Sequence, residues 1–248
     1  MNDILIAGCG TGQHAVETAQ RFSSARLLAI DLSLSSLAYA QRQTHSLGLA
    51  NTEYAQADIL RLGSIARRFD LIEAVGVLHH LEDPFRGWRA LLETLRPKGL
   101  MQIGLYSRFA RTHVQAARGL IAENGYRAIP DDIRRFRREI MDREHPGFAD
   151  SAILHRVTQA EDFFTMSECR DLLFHVQEHQ LTLPQIAAFV DDNALTFIGF
   201  DVNAATRALY RARFPADAEM KDVSTWHLFE RENPDTFVGM YQFWVQKA

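Results

Sequence analysis

Three alternating glycines near the start of the chain are the first residues whose spacing suggests chemistry. Gly8, Gly10 and Gly12 directly follow the apolar run Ile4-Leu5-Ile6-Ala7. Glycine has no Cβ, so the backbone can turn sharply there and a ligand can lie against it. An apolar run ending in such a turn predicts a buried strand that leads into a helix, which is where doubly wound α/β sheets bind nucleotides. The third glycine of a dinucleotide fingerprint is absent, because Gln13 follows Gly12, and no Lys-Ser/Thr pair indicates a phosphate loop.

Acidic residues end the next two predicted strands. Residues 26–31 predict the second strand, and Asp31 stands at the distance from the glycines that a strand-helix-strand unit requires. A carboxylate at this strand end can accept hydrogen bonds from both hydroxyls of a ribose. The alternative for Asp31 is a helix N-cap, although Ser33 offers that role instead. The third predicted strand, 52–59, ends in Ala57-Asp58-Ile59, where Asp58 either meets a ligand or caps a turn.

Two adjacent histidines follow the fourth predicted strand, in the segment Val77-Leu78-His79-His80-Leu81. This segment crosses the carboxyl ends of the strands, where an open α/β sheet binds its ligands. A histidine there could take a proton from an O–H or N–H nucleophile, because its pKa lies near neutrality. The alternative is that His79 and His80 form the turn and pack on the next helix.

Together these features resemble the class I S-adenosylmethionine (SAM)-dependent methyltransferases, in particular bacterial members with a helical insertion. The resemblance rests on Gly-Cys-Gly-Thr-Gly after a strand, an acid ending strand two, Ala-Asp-Ile after strand three and Val-Leu-His-His-Leu after strand four. It implies that SAM is the cofactor, with the methionine part beside the glycine loop, the ribose on an acid, the adenine between two apolar residues and a second acid, and the methyl group beyond strand four. The residues so implied are Gly8, Cys9, Gly10 and Gly12 for the methionine part, Asp31 for the ribose, Leu32, Asp58 and Ile59 for the adenine, and Gly76 and Val77 for the methyl border.

The strand and helix pattern predicts an α/β fold with a doubly wound sheet, and the resemblance implies a Rossmann-like sheet of seven strands with the last strand antiparallel. Residues 1–106 and 184–248 form the predicted SAM-binding domain. Residues 107–183 are too many for a structureless loop in a compact domain. They show helical patterns at 113–124, 131–142, 152–157 and 168–180, and therefore predict a helical cap inserted after strand five.

Such a cap is where an enzyme of this kind selects its substrate, so candidate acceptor-binding residues are Tyr106 at its start and Arg170, His175 and His179 within it. His175 and His179 are four residues apart in a predicted helix and would share one of its faces. Two such histidines can begin a zinc site, but zinc needs a third protein ligand, and none stands at a recognisable spacing. No metal is therefore predicted.

The densest basic run is Arg134-Arg135-Phe136-Arg137-Arg138. It could hold an acidic substrate, a phosphate or RNA. Nearby acidic residues, among them Asp131, Asp132, Glu139 and Asp142, favour the alternative of a solvated helix face with local ion pairs.

Composition sets the remaining expectations. The chain has 248 residues, a net charge of −4 and two cysteines, Cys9 and Cys169, a pattern typical of a cytoplasmic globular protein. No membrane partner is expected. The resembled enzymes usually carry helices before the first strand that help to cover the cofactor, whereas only Met1 to Asp3 precede it here. The expectation is that an N-terminal extension, a partner or another part of the chain covers the cofactor. Three hypotheses follow: a methyltransferase acting on a small molecule, one acting on protein or RNA through the Arg-rich helix, or a SAM-binding accessory subunit without activity of its own.

Overall fold

A computed structural model describes residues 2–142, 152–175 and 177–248. These residues form two compact units. The first unit comprises Met1–Ser107 and His179–Ala248, and the second comprises Arg108–Glu178. The predicted cap, 107–183, extends further toward the C-terminus than the second unit does.

The first unit is built on one seven-stranded sheet with the strand order β3-β2-β1-β4-β5-β7-β6. β7 runs antiparallel to both of its neighbours, and every other pairing is parallel. The predicted fold class is therefore confirmed. The strands are β1 Asp3–Ala7, β2 Arg26–Asp31, β3 Thr52–Gln56, β4 Phe69–Val75, β5 Leu95–Leu105, β6 Leu195–Phe200 and β7 Tyr241–Lys247.

Helices cover both faces of this sheet. Successive residues of β1 point to opposite faces, because side chains alternate along a strand. Ile4 and Ile6 belong to a core shared with the first two helices, whereas Leu5 and Ala7 belong to a larger core shared with the helices that follow β4 and precede β6. The described α-helices are α1 Gln13–Arg21, α2 Leu34–Ser46, α3 Pro84–Thr94, α4 Thr112–Glu123, α5 Pro130–Met141, α6 Ala152–Val157, α7 Met166–Phe174, α8 Leu183–Asp192, α9 Ala204–Arg213 and α10 Val223–Glu232.

The second unit is helical and contains α4, α5, α6 and α7, packed around a core of its own. Its core includes Phe136 of α5 and Phe163 of a short 3-10 helix, both fully buried. Glu178, at the end of the unit, pairs with Arg111 at 3.2 Å and with Arg118 at 3.4 Å. The chain segments that begin and end this unit are therefore held by one shielded ion-pair cluster.

The predicted helix over 168–180 is wrong in its second half, since α7 ends at Phe174. His175 has an extended backbone, with φ −62° and ψ 135°. Its Nδ1 lies 3.2 Å from the backbone nitrogen and 2.7 Å from the carbonyl oxygen of Gln177. A side chain that contacts the backbone two residues further along the chain competes with helical hydrogen bonding. His175 and His179 consequently do not share a helix face.

Within the described ranges, no helix combines the length and the apolar character that crossing a lipid bilayer requires.

Candidate functional site

The glycine loop after β1 packs closely on the protein at Gly8 and borders open space at Gly10. Gly8 and Gly10 have φ values of 72° and 51°, in the left-handed region that favours glycine. A Cβ on Gly8 would lie 2.3 Å from Cγ2 of Val77, so the loop packs directly on the segment that follows β4. A Cβ on Gly10 would meet no protein atom within 4 Å. The backbone at Gly10 is therefore the place where a ligand can approach the loop.

Asp31, at the carboxyl end of β2, ties this loop to the next one. Its Oδ2 accepts a hydrogen bond from the Gly10 N–H at 2.8 Å, and its Oδ1 accepts one from the Ser33 N–H at 2.8 Å. Ser33 itself caps α2, accepting from the Ser36 N–H at 3.2 Å, so Asp31 is not the helix cap. Each carboxylate oxygen keeps a second acceptor position, which fits the two hydroxyls of a ribose.

Cys9 lies in the same loop but contributes its backbone rather than a reactive thiol. The side chain is buried, and its N–H donates to the carbonyl oxygen of Ile30 at 2.9 Å. Burial, reinforced by the neighbouring Asp31 carboxylate, raises the pKa of the Cys9 thiol to about 12. The thiol therefore stays neutral at physiological pH.

The three residues predicted to meet the adenine lie after β2 and β3. Leu32 is 64% exposed and Ile59 is buried. Asp58 caps a short 3-10 helix, Ile59–Ser64, by accepting the Leu60 N–H at 2.9 Å. The turn-capping alternative for Asp58 is thus realised, while the exposed Leu32 offers an apolar surface suited to a flat ring. The adenine contacts stay a prediction.

The segment after β4 brings His79, His80 and Tyr106 together. His79 is 0% exposed, and its ring centroid lies 3.9 Å from that of Tyr106 and 4.3 Å from that of His80. His80 and Tyr106 are only half-buried. In this arrangement His79 packs beneath the other two rings, and His80 and Tyr106 retain surface that an acceptor could reach.

A segment far along the chain closes this edge of the first unit. The His179 N–H donates to the carbonyl oxygen of His79 at 2.8 Å, and the Leu181 N–H donates to that of Tyr106 at 2.9 Å. Ser107 and Leu181 form a parallel bridge. His179 is thereby brought beside His79 through main-chain contacts, which leave no signal in side-chain spacing.

Two further candidate residues belong to the second unit. Arg170 is an exposed residue of α7, and His175 is half-buried directly after that helix. Their predicted acceptor-binding role stays a prediction, as do the roles of Tyr106 and His179 in the first unit.

The Arg-rich helix α5 has the local ion pairs that its acidic neighbours predicted. Arg134 pairs with Asp131 at 3.1 Å, and Arg135 lies 3.7 Å from Asp132 and 4.0 Å from Glu139. The apolar face of the helix, which includes Phe136, packs into the core of its unit. This helix is thus an amphipathic surface element with much of its charge paired locally.

One buried carboxylate close to the glycine loop, Glu73, is not predicted from the sequence. Glu73 of β4 accepts from Thr18 Oγ1 at 2.7 Å and pairs with His14 Nε2 at 3.0 Å, both on the helix that follows the glycine loop. The hydrogen bond to Glu73 raises the pKa of His14. Buried acids inside strands and helices resemble exposed ones in sequence, so only the fold distinguishes them.

The fold and this edge of the sheet define a Rossmann-like, doubly wound α/β protein. Residues 4–99 match a family model described as a methyltransferase domain. The structure of PKMT2 from Rickettsia typhi in complex with AdoHcy superposes with a TM-score of 0.70 at 14% identity, covering 98% of this chain and 48% of that one, a likeness of fold. The chain therefore carries a match to a methyltransferase domain over residues 4–99, within a fold that it shares with that structure.

Two curated relatives extend the comparison. An uncharacterised protein of Synechococcus sp. is 32% identical over 206 residues, which cover 79% of this chain and 48% of that protein. The trans-aconitate 2-methyltransferase of Deinococcus radiodurans is 38% identical over 96 residues, which cover 39% of this chain and 34% of that enzyme. The chain thus spans at most about half the length of these relatives.

Proposed function

We propose that this protein is a SAM-dependent methyltransferase that transfers a methyl group by in-line displacement to a small-molecule acceptor. The observation that carries the proposal is the Asp31 carboxylate, which holds the glycine loop through Gly10 while keeping acceptor positions for a ribose. The match of residues 4–99 to a methyltransferase domain supports it independently.

The protein's contribution in this proposal is orientation. SAM supplies an activated methyl group on a sulfonium. Asp31 fixes the ribose, and the bare backbone at Gly10 lets the methionine part lie close to the loop. Gly76 and Val77, at the end of β4, border the transferred methyl. Holding two reactants in line in this way accounts for a large part of the rate of such a displacement.

A general base is not obligatory, because a neutral amine or an anion attacks without losing a proton first. Where the acceptor carries an O–H or N–H, the half-buried His80 is placed to take the proton. His79 is fully buried against Tyr106 and is assigned a positioning role.

A small-molecule acceptor is favoured over protein or RNA by the charges of α5. Arg134 and Arg135 are paired with acids of their own helix, so the basic run offers less free charge to a polyanion than its sequence suggests. Trans-aconitate 2-methyltransferase, a relative of the domain, is named for a small-molecule acceptor.

Calorimetric titration with SAM and with S-adenosylhomocysteine (SAH) tests the cofactor site. We expect Asp31→Asn to weaken both ligands by roughly 10-fold to 100-fold, the value of a hydrogen bond to a charged group. Asp222→Asn is the matched control, since Asp222 also accepts two backbone N–H groups, those of Ser224 at 2.8 Å and Thr225 at 3.2 Å. A folded wild-type protein that binds neither ligand would refute the proposal.

Transfer itself is tested with SAM that carries a labelled methyl group, in a cell extract separated by ultrafiltration after the reaction. We expect enzyme-dependent label in the small-molecule filtrate. Label that stays in the retentate and is released by protease or ribonuclease would refute the small-molecule acceptor and support a macromolecular one. Tight SAM binding with no label in either fraction would instead identify an accessory subunit.

A further inference from the structure

Met240 reaches from the segment before β7 to the ends of β4 and β5. An ideal Cβ on Gly104 of β5 would lie 2.7 Å from the Met240 sulfur and 2.7 Å from Cγ1 of Val75. A Cβ on Gly76 would lie 3.9 Å from Cε of Met240. The thioether therefore occupies space that a larger residue at Gly104 would contest, and its Cε would lie in ordinary van der Waals contact with a Cβ at Gly76.

The two glycines lie side by side where the methyl border is proposed. The Gly76 N–H donates to the carbonyl oxygen of Gly104 at 3.3 Å, so β4 and β5 are still paired at this point. Gly76 directly precedes Val77, which packs on Gly8 of the cofactor loop. Met240 thus stands on the β5 side of Gly76, and the glycine loop stands on the other side. Because Met240 is only half-buried, part of its side chain can contact a ligand.

The neighbours of Met240 hold it in place. Tyr241 is fully buried, and its hydroxyl donates to the two carboxyl oxygens of Glu230 at 2.7 and 2.8 Å. Ser107, after β5, donates to the same carboxyl at 2.5 Å. Phe237 is buried on the other side of Met240 in sequence, with its ring 4.8 Å from that of Tyr241. Buried aromatic residues therefore anchor the chain before and after Met240.

We propose that Met240 forms the wall against which the transferred alkyl group of the cofactor lies, and that it sets the size of that group. An apolar, polarisable thioether suits contact with a methyl group. A wall fixed over Gly76 leaves little room for a longer substituent on the sulfonium. The inference rests on the proposed SAM-dependent function and adds a specificity-determining residue to it.

The experiment compares three ligands by calorimetry: SAM, S-adenosylethionine with an ethyl group in place of the methyl, and SAH with no alkyl group. Wild-type protein is expected to bind the ethyl compound roughly tenfold or more weakly than SAM, the usual effect of one extra methylene in a fitted site. Met240→Ala is expected to bring the ratio of the two dissociation constants close to one. Affinity for SAH should change little, because SAH lacks the group that meets the wall.

Met220→Ala is the matched control, since Met220 is another half-buried methionine of the first unit, and it should leave the ratio at the wild-type value. Met240→Val is a smaller truncation that replaces Met240→Ala if the alanine variant does not fold. Its ratio of the two dissociation constants should lie between the wild-type value and one. Equal binding of SAM and the ethyl compound by wild-type protein would overturn the inference. So would a ratio that Met240→Ala or Met240→Val leaves unchanged. Failure of wild-type protein to bind SAM or SAH at all would instead overturn the proposed function on which the inference rests.

Discussion

Alanine at Gly8 and alanine at Gly10 should have different consequences, although both residues lie in the same loop. Both have a left-handed backbone, with φ 72° and 51°, so each substitution costs roughly 1–2 kcal/mol in backbone strain. The Gly8 methyl would also lie 2.3 Å from Cγ2 and 2.5 Å from Cβ of Val77. Relieving that overlap requires the main body of a branched side chain to move, which adds roughly 1–3 kcal/mol.

Thermal unfolding and SAH titration separate the two effects. At roughly 2–4 °C per kcal/mol for a protein of this size, Gly8→Ala should lower Tm by about 4–20 °C and Gly10→Ala by about 2–8 °C. The Gly10 methyl meets no protein atom within 4 Å and instead enters the space proposed for the cofactor. We therefore expect Gly10→Ala to remain folded and to lose most of its affinity for SAH.

The comparison can refute the reasoning in two ways. If Gly10→Ala destabilises the protein as much as Gly8→Ala, then the close contact with Val77 does not set the cost. If Gly10→Ala binds SAH as wild-type protein does, then the cofactor does not approach the loop at Gly10. Wild-type protein titrated and melted in the same buffer is the reference for both variants.

Three other predictions concern buried polar groups. Pairing with Glu73 raises the pKa of His14 above its ordinary value of 6.5. The stabilisation from this pair should therefore be complete below pH 6.5 and lost as pH rises through the raised pKa. The Tm of wild-type protein should fall across this range, and the Tm of Glu73→Gln should fall by a smaller amount. Burial raises the pKa of Cys9 to about 12 and that of Cys169 to about 11. Neither thiol should therefore react with a disulfide reagent at pH 8 until urea unfolds the chain. A thiol that reacts quickly in the folded protein would contradict this prediction. Tyr241→Phe removes a hydroxyl that donates to a buried carboxyl at 2.7 Å and should destabilise the protein by roughly 1–3 kcal/mol in urea unfolding, whereas an unchanged midpoint would contradict the hydrogen bond.

The strands and turns around the glycine loop could be predicted from the sequence because their signals are local. The glycine loop, Asp31 and the segment after β4 each lie within a few residues of the strand that positions them. Strand alternation and turn chemistry act over the same short range. Ser33 caps α2, as its place directly before the helix predicts, and accepts the Ser36 N–H at 3.2 Å. The sequence allows Asp58 a ligand contact or a capping role, and its contact with the Leu60 N–H is the capping one.

The predicted helix over 168–180 ends early because local periodicity does not determine where that helix stops. Helical periodicity continued through His175 and His179, but the His175 ring engages the backbone of Gln177 and the helix ends at Phe174. Beyond that point the backbone of His179 pairs with His79, a partner one hundred residues earlier in the chain. Because main-chain hydrogen bonds depend on no particular side chain, the residue pattern does not predict this pairing.

The proposed wall beside the transferred methyl group is hard to predict because its residues come from distant parts of the chain. Met240 reaches Gly104 and Gly76 only because β7 inserts antiparallel between β5 and β6. Glu230 becomes a buried anchor only because α10 brings it to Ser107 and Tyr241. In sequence, Gly104 is merely a glycine inside a strand and Met240 a methionine beside a turn. These two residues come close together at the end of β4 only after the sheet has formed. Residues such as Met240 and Glu230 can therefore change without any change in the glycine loop or in Asp31, and local sequence signals do not report them.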